Sequence, residues 1–517
     1  MMRLQNIVVF IFILSAAPIA AITAQQQKDT ADLQVSITHA GSPVACNIKI
    51  KNDQGNYFRP DSTYLWKDMT GHLFEEFPCN GAFRMKLPYG NYHYEADRGP
   101  AYELLVGDFT LNSAIAKEEW ELKEIVDVSK RNWWAGETHI HRNPNDIELL
   151  MKASDLHIGE VITSWNENYP AEQASINATP KKFDNNRFYE TTASEDERGG
   201  GALLFFNLPA PFNFANLQPE YPPLVQSVYR VSEKYRRAWI DIEKPFWQDV
   251  PVLLATGKVN SIGIANNHLT KKGVFDSEAW GKKRDTGRYP SPLGNAWWTQ
   301  DIYYQVLNAG FRIPPSAGSA SGVLWNPVGY NRLYAYVKTN LTYSSWWNAV
   351  RKGNCFVSNG PLLFCYANGH LPGNVFKIPR KKPLVIAIKA ELFSRDSLTK
   401  IEVIKNGKVY AIINPSHIKN NRIISSIKFI EGGWFLVRAI STANNNFRFA
   451  STGPFYVEDH TGKKMISRSA CKFFIQWLNE RSAYVQLENA EQRSAVLRSI
   501  DEARNFWGRL LKQSYAE

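Results

Sequence analysis

The sequence predicts a multi-domain chain: a central α/β region flanked by two β-rich segments and followed by a helical tail. Three observations point there. At 517 residues the chain exceeds what one hydrophobic core usually organises, so two to four domains are expected. Two stretches alternate apolar and polar residues at the period of a strand. Between them, short apolar runs alternate with helical patterns.

The chain opens with Arg3, an apolar run from Ile7 to Leu14, and small residues ending near Ala24. This is the pattern of a secretory signal peptide over residues 1–24, with a mature start near Gln25. The run is shorter than the roughly 20 residues a spanning helix requires, and no cysteine follows it for lipid attachment. An exported protein, periplasmic or extracellular and without a membrane anchor, is expected.

Residues 30–125 contain LQVSIT, CNIKIKN and AFRMKLPYGNYHYEA, strand patterns punctuated by Gly, Pro and Asn, which predict a small β-sandwich. Residues 126–366 carry the strands GEVITSW, ALLFFNL and SIGIANN, alternating with DIELLMKASDL and TQDIYYQVLNAG, as in an α/β barrel or open α/β sheet. Residues 367–459 return to strand alternation in PLVIAIKAEL, KIEVIKNGKVYAII and WFLVRAIST. Asn406-Gly407 there supplies a type I′ hairpin turn, and a second sandwich is expected. In residues 460–517, Phe473, Phe474, Trp477 and Leu478, then Val496, Leu497, Ile500, Ala503, Trp507 and Leu511, recur at helical spacing and predict two amphipathic helices.

Hydrophobic residues make up 44% and charged residues 21%, as in ordinary globular proteins. The formal charge of +11 is dispersed, dense only at Arg380-Lys381-Lys382, so a nucleic-acid partner is not expected. Five cysteines, Cys46, Cys79, Cys355, Cys365 and Cys471, are too few and scattered for a disulfide framework or a thiolate zinc site, although Cys46 and Cys79 could pair. There is no nucleophile elbow, phosphate loop or dinucleotide fingerprint.

The chemistry rests first on GETHIHR, Gly136 to Arg142. Alternate residues of a strand share a face, so His139 and His141 project together and can chelate one divalent ion. His157 stands at a helix end, where a structural role is expected. His39, His72, His93, His370, His417 and His460 lack a partner at ligand spacing.

The run WWAGETHIHRNPNDIELLMKASDLHIGEVITSWNEN resembles the opening of a PHP-type metallohydrolase of the CehA/McbA-like branch. LNAGFRIPPSAGSASG and GNCFVSNGPLL fit later landmarks of that family in the same order, and the resemblance covers about Trp133 to Pro361. It implies a distorted (β/α)7 barrel holding up to three metals for hydrolysis. The stretch MKLPYGNYHYEADRGPAYE likewise resembles a carboxypeptidase-regulatory or transthyretin-like sandwich.

Two motifs depart from the family. Its Thr-Asp-His-Asn strand end is here Thr163-Ser164-Trp165-Asn166, and its Gly-Ser-Asp-x-His loop is Gly318-Ser319-Ala320-Ser321-Gly322. The resemblance therefore implies a reduced site with one zinc, manganese or iron ion, held by His139, His141, Glu195 or Glu197, and His268. Glu137 or Asp196 is expected as base, and Trp165, Asn166, Asn207 and Ser319 as substrate contacts. The expected activity is metal-assisted hydrolysis of an ester, amide or phosphoester in a small-molecule or glycan-derived substrate. The alternative is a catalytically inactive protein of the same fold that binds glycans or a cell surface.

Overall fold

The computed structural model describes residues 30–61, 74–166, 179–214, 217–441 and 446–516, and the leader expected over residues 1–24 lies outside them. No helix among the described residues is long and apolar enough to cross a membrane.

The fold is β-rich and multi-domain. In the N-terminal part, Thr30–His39 pairs with Ala82–Pro88 and Ile115–Glu121 in one sheet, and Ala45–Asn52 pairs with Glu76–Asn80 and Gly90–Asp97 in a second. Their alternation buries Leu33, Val35 and Ile37 with Ile48, Ile50 and Phe109, while Tyr94 stacks on Trp120 at 3.8 Å. Cys46 and Cys79 face each other across the second sheet as free, buried thiols.

The central strands are β1 (Trp133–Ile140), β2 (Ile158–Trp165), β3 (Arg187–Arg198), β4 (Gly201–Phe206), β5 (Trp239–Ile242), β6 (Ser261–Ala265) and β7 (Pro315–Ala317). They are neighbours in that order, and all run parallel except β4. Near-continuous burial along β3, β4 and β6 is what a sheet covered on both faces requires. Helices α1 (Ile147–Ala153), α2 (Val225–Lys234), α3 (Val250–Ala255) and α4 (Gly294–Asn308) connect parts of this run. The C-terminal ends of the six parallel strands open on one edge, where sites of such sheets form.

Among the described residues the seven strands do not close into the distorted (β/α)7 barrel that the resemblance implies. Gly199-Gly200 turns β3 back into β4 as an antiparallel hairpin, which breaks the strand–helix alternation. Among the described residues β7 and β1 share no ladder; the segment after β7 meets β1 through one isolated parallel bridge, Ile140 to Ser321.

Beyond β1 the sheet continues through β8 (Arg332–Tyr336) and β9 (Cys355–Ser358), joined along the chain by the helix α5 (Tyr343–Arg351), into Arg448–Thr452 and Gly433–Ser441. The boundary expected at residue 366 is thus spanned by one sheet. Leu362–Ala367 pairs instead with Leu384–Phe393 in a three-stranded sheet, which shares a core with Phe435, Val437 and Ala439. The Asn406-Gly407 turn has positive φ at both positions, 50° and 80°, as its type demands.

The tail forms α6 (Arg468–Ala483) and α7 (Ala490–Gln513), capped by the side chains of Ser467 and Asn489. Phe474 stacks on Trp507 at 4.4 Å, and Trp507 Nε1 donates to the Pro251 carbonyl of α3 at 2.9 Å.

His157 is buried between α1 and β2, edge-on to Trp134, and burial pushes its imidazole down to about 3 against the pull of Asp155. The unfolded chain binds this proton below about 6.5, whereas the folded chain does not. The contribution is therefore complete above that pH and lost as pH falls towards 3. Denaturant unfolding should show the native protein losing about 2–3 kcal/mol more than His157→Gln between pH 7 and pH 4.5.

Candidate metal centre

His139 and His141 stand at the C-terminal end of β1, and Glu195 projects from β3 two strands away. Their ligand atoms converge. The two Nε2 atoms are 3.0 Å apart, and Glu195 Oε2 lies 3.5 Å from that of His139 and 3.0 Å from that of His141. His139 and Glu195 are buried, while His141 is half-buried beneath the Trp165 ring at 4.9 Å. Glu195 Oε2 makes no hydrogen bond among the described residues. Two ring nitrogens and an unsatisfied carboxylate oxygen at these separations fit a divalent first-row ion, whose ligand atoms stand roughly 3 Å from one another.

The electrostatics agree with this grouping. Burial opposes charging His139, yet the Glu195 carboxylate outweighs it and raises its affinity for a proton. Burial wins at His141 and lowers it. Glu195 also pays for desolvation, but the adjacent imidazoles hold it well below the usual carboxylate range.

Alternation along β3 separates its three acids. Glu195 and Glu197 share one face, and Asp196 points to the other, where Arg198 donates at 2.6 and 3.0 Å and Ser227 Oγ at 2.5 Å. Asp196 is a buried ion-pair partner and not the base expected. Glu197 is half-buried. Its Oε2 accepts from Trp165 Nε1 at 3.2 Å, and its backbone N–H donates to Asn166 Oδ1 at 2.7 Å. Burial and then the charge of Glu195 push Glu197 up to about 7.

Glu137 is also not free to act as base. Its carboxylate accepts from the backbone N–H of Ser319 at 2.6 Å and from that of Gly329, which fastens the 318–329 loop to β1. Ser319 Oγ accepts from Asn331 N at 2.9 Å, so this residue holds the loop instead of facing a substrate. His268 stays outside the converging group, with its ring between Phe246 at 5.2 Å and Phe275 at 5.0 Å. Asn207 lies at the opposite edge of the sheet, because β4 runs backwards; its neighbour Leu208 accepts from Thr192, which also donates to Glu190. Trp165 and Asn166 do border the centre.

Two residues outside the sequence expectation complete it. Glu243, just beyond β5, places Oε1 3.5 Å from His139 Nδ1, the second nitrogen of a ligand imidazole. Lys244 bonds both oxygens of Glu243. The signal for Glu243 lies in WIDIEK, where it follows Asp241 by two residues just past the end of a buried strand parallel to that of the histidines.

Comparison with known protein families finds no match, and neither does comparison with curated proteins. Among solved structures the chain is similar to the apo structure of Bacteroides uniformis beta-glucuronidase 3, at 9% identity and a TM-score of 0.14. That likeness covers 81% of this chain and 60% of that one, and at such a score it carries no argument about fold or activity.

Gly318 packs against His139 so closely that a Cβ there would overlap the histidine's own. Gly318→Ala should therefore push His139 out of place and destabilise the protein by about 1–3 kcal/mol in denaturant unfolding. Gly508→Ala, in open space on α7, should instead stabilise the helix by up to about 1 kcal/mol.

Proposed function

We propose that this protein is an exported metallohydrolase with a single divalent ion held by His139, His141 and Glu195, and that its central region is a distorted, reduced relative of the PHP-type barrel of the CehA/McbA-like branch. The observation that carries the reading is the convergence of those three ligand atoms, one of them an unsatisfied buried oxygen. The ion is zinc, manganese or iron by the chemistry of the donors. When bound, such an ion supplies the acidity that makes water nucleophilic near neutral pH and polarises a carbonyl or phosphoryl oxygen.

The chain's own residues then divide the work. Glu243 orients the His139 ring from behind. Glu197 is the carboxylate placed to take a proton from incoming water, with Trp165 Nε1 fixing its Oε2. The Trp165 ring walls the entry beside His141 and offers an apolar face to a small-molecule or glycan-derived substrate. With one ion instead of several, ester or amide cleavage suits the site better than phosphoryl transfer.

Elemental analysis of the purified chain should find about one equivalent of divalent metal, lost in His139→Ala and in Glu195→Gln. Hydrolysis of an ester panel should disappear on chelation and return with zinc or manganese. Glu197→Gln should keep the metal and lose about 100-fold or more in kcat. A native chain that takes up no divalent ion, yet binds glycans on an array, would replace this reading with the inactive binding protein.

A further inference from the structure

We propose that the buried Lys244 ammonium is a fixed internal cation that sets how tightly the centre holds its divalent ion. The proposal rests on the metal reading of His139, His141 and Glu195, and its test is arranged so that the two can fail separately.

Lys244 follows β5 at the edge of the sheet where the ligands converge. Its side chain is 3% exposed and that of Glu243 2%, so neither charge is relieved by bulk water. The ammonium bonds both Glu243 oxygens, at 2.5 Å to Oε1, and lies 4.6 Å from the centre of the Trp247 ring. Trp247 Nε1 donates to Glu243 Oε2 at 3.0 Å, which fixes the carboxylate from a third side. The same carboxylate faces His139 Nδ1 at 3.5 Å. One anion thus links the ammonium to the imidazole whose other nitrogen belongs to the ligand group.

Two consequences follow from charge alone. An ammonium close to a divalent ion in a dry interior repels it, because little solvent screens the pair. An ammonium that occupies Glu243 also withdraws negative charge from His139, leaving that ring a poorer donor. Both act in the same direction and weaken ion binding.

The field of Lys244 reaches further round the same edge. Lys244 opposes protonation of both His139 and His268, and it draws down the proton affinity of Glu197. His268 Nδ1 is buried and makes no hydrogen bond among the described residues, so an imidazole nitrogen stands unused near a resident positive charge. The ammonium offers the centre a second positive charge that no chelator can remove.

Zinc alone serves as the probe, on the purified full chain, with dissociation constants read by competition with a chromophoric chelator. Lys244→Met should bind zinc about tenfold more tightly than the native protein. Because an unpaired buried Glu243 is costly and can prevent folding, a second contrast reads the same charge: Glu243→Gln/Lys244→Met should bind about tenfold more tightly than Glu243→Gln. Circular dichroism establishes that each variant compared is folded. Unchanged or weaker binding on loss of Lys244 in the folded contrasts, with one equivalent bound by the native chain, overturns the role of Lys244 and leaves the metal reading standing. A folded native chain that binds no zinc overturns both.

Discussion

The structure around the centre depends on one buried contact, the carboxylate of Glu137 gripping the backbone N–H groups of Ser319 and Gly329. Glu137 is fully buried, and an unsatisfied carboxylate there would cost several kcal/mol, so the loop is drawn to β1 wherever the chain folds. That grip aligns Gly318 with His139 and brings the Ser321 carbonyl to the N–H of His141 at 2.8 Å. Gly322, at φ 106°, takes a turn in which a side chain would collide with the His141 carbonyl. The 318–329 loop therefore serves as a clamp on His139 and His141.

How much of this was legible in the sequence depends on the range of the interaction that decides it. The H-x-H pair and the shared face of Glu195 and Glu197 follow from strand alternation, a local rule, and the tail helices follow from local periodicity. The place of Asn207 depends on strand direction, which local patterning does not record. Two glycines reverse β4 and carry its end to the far edge, and nothing in ALLFFN itself records that. Asp196 falls on the face opposite Glu195 and Glu197 once a single strand, β3, runs through all three acids. His268 follows a parallel strand to the correct edge, but Phe246 and Phe275 hold its ring away from the ligand group.

Glu243 and Lys244 show the same limit. Adjacent opposite charges ordinarily mark a solvated surface, and only tertiary burial makes them a desolvated pair. A buried pair of this kind adds little stability by itself, because the cost of removing two charges from water offsets their attraction. The pair nonetheless places a buried carboxylate 3.5 Å from His139 Nδ1 and an ammonium directly behind it.

The tail is tied into this arrangement through the segment that follows Lys244. Arg481 of α6 is buried and donates to Asp249 at 2.7 Å and also to Glu220. Asp249 in turn donates its backbone N–H to the Gly200 carbonyl at 2.8 Å, in the hairpin just beyond Glu195 and Glu197. A residue larger than glycine at position 200 would strike the Asp249 carboxylate. The C-terminal helices thus brace, through one guanidinium, both the hairpin just beyond Glu195 and the segment that follows Lys244. Burying an arginine between two acids is costly unless all its partners stay in place, so the helices and the site edge hold their geometry together.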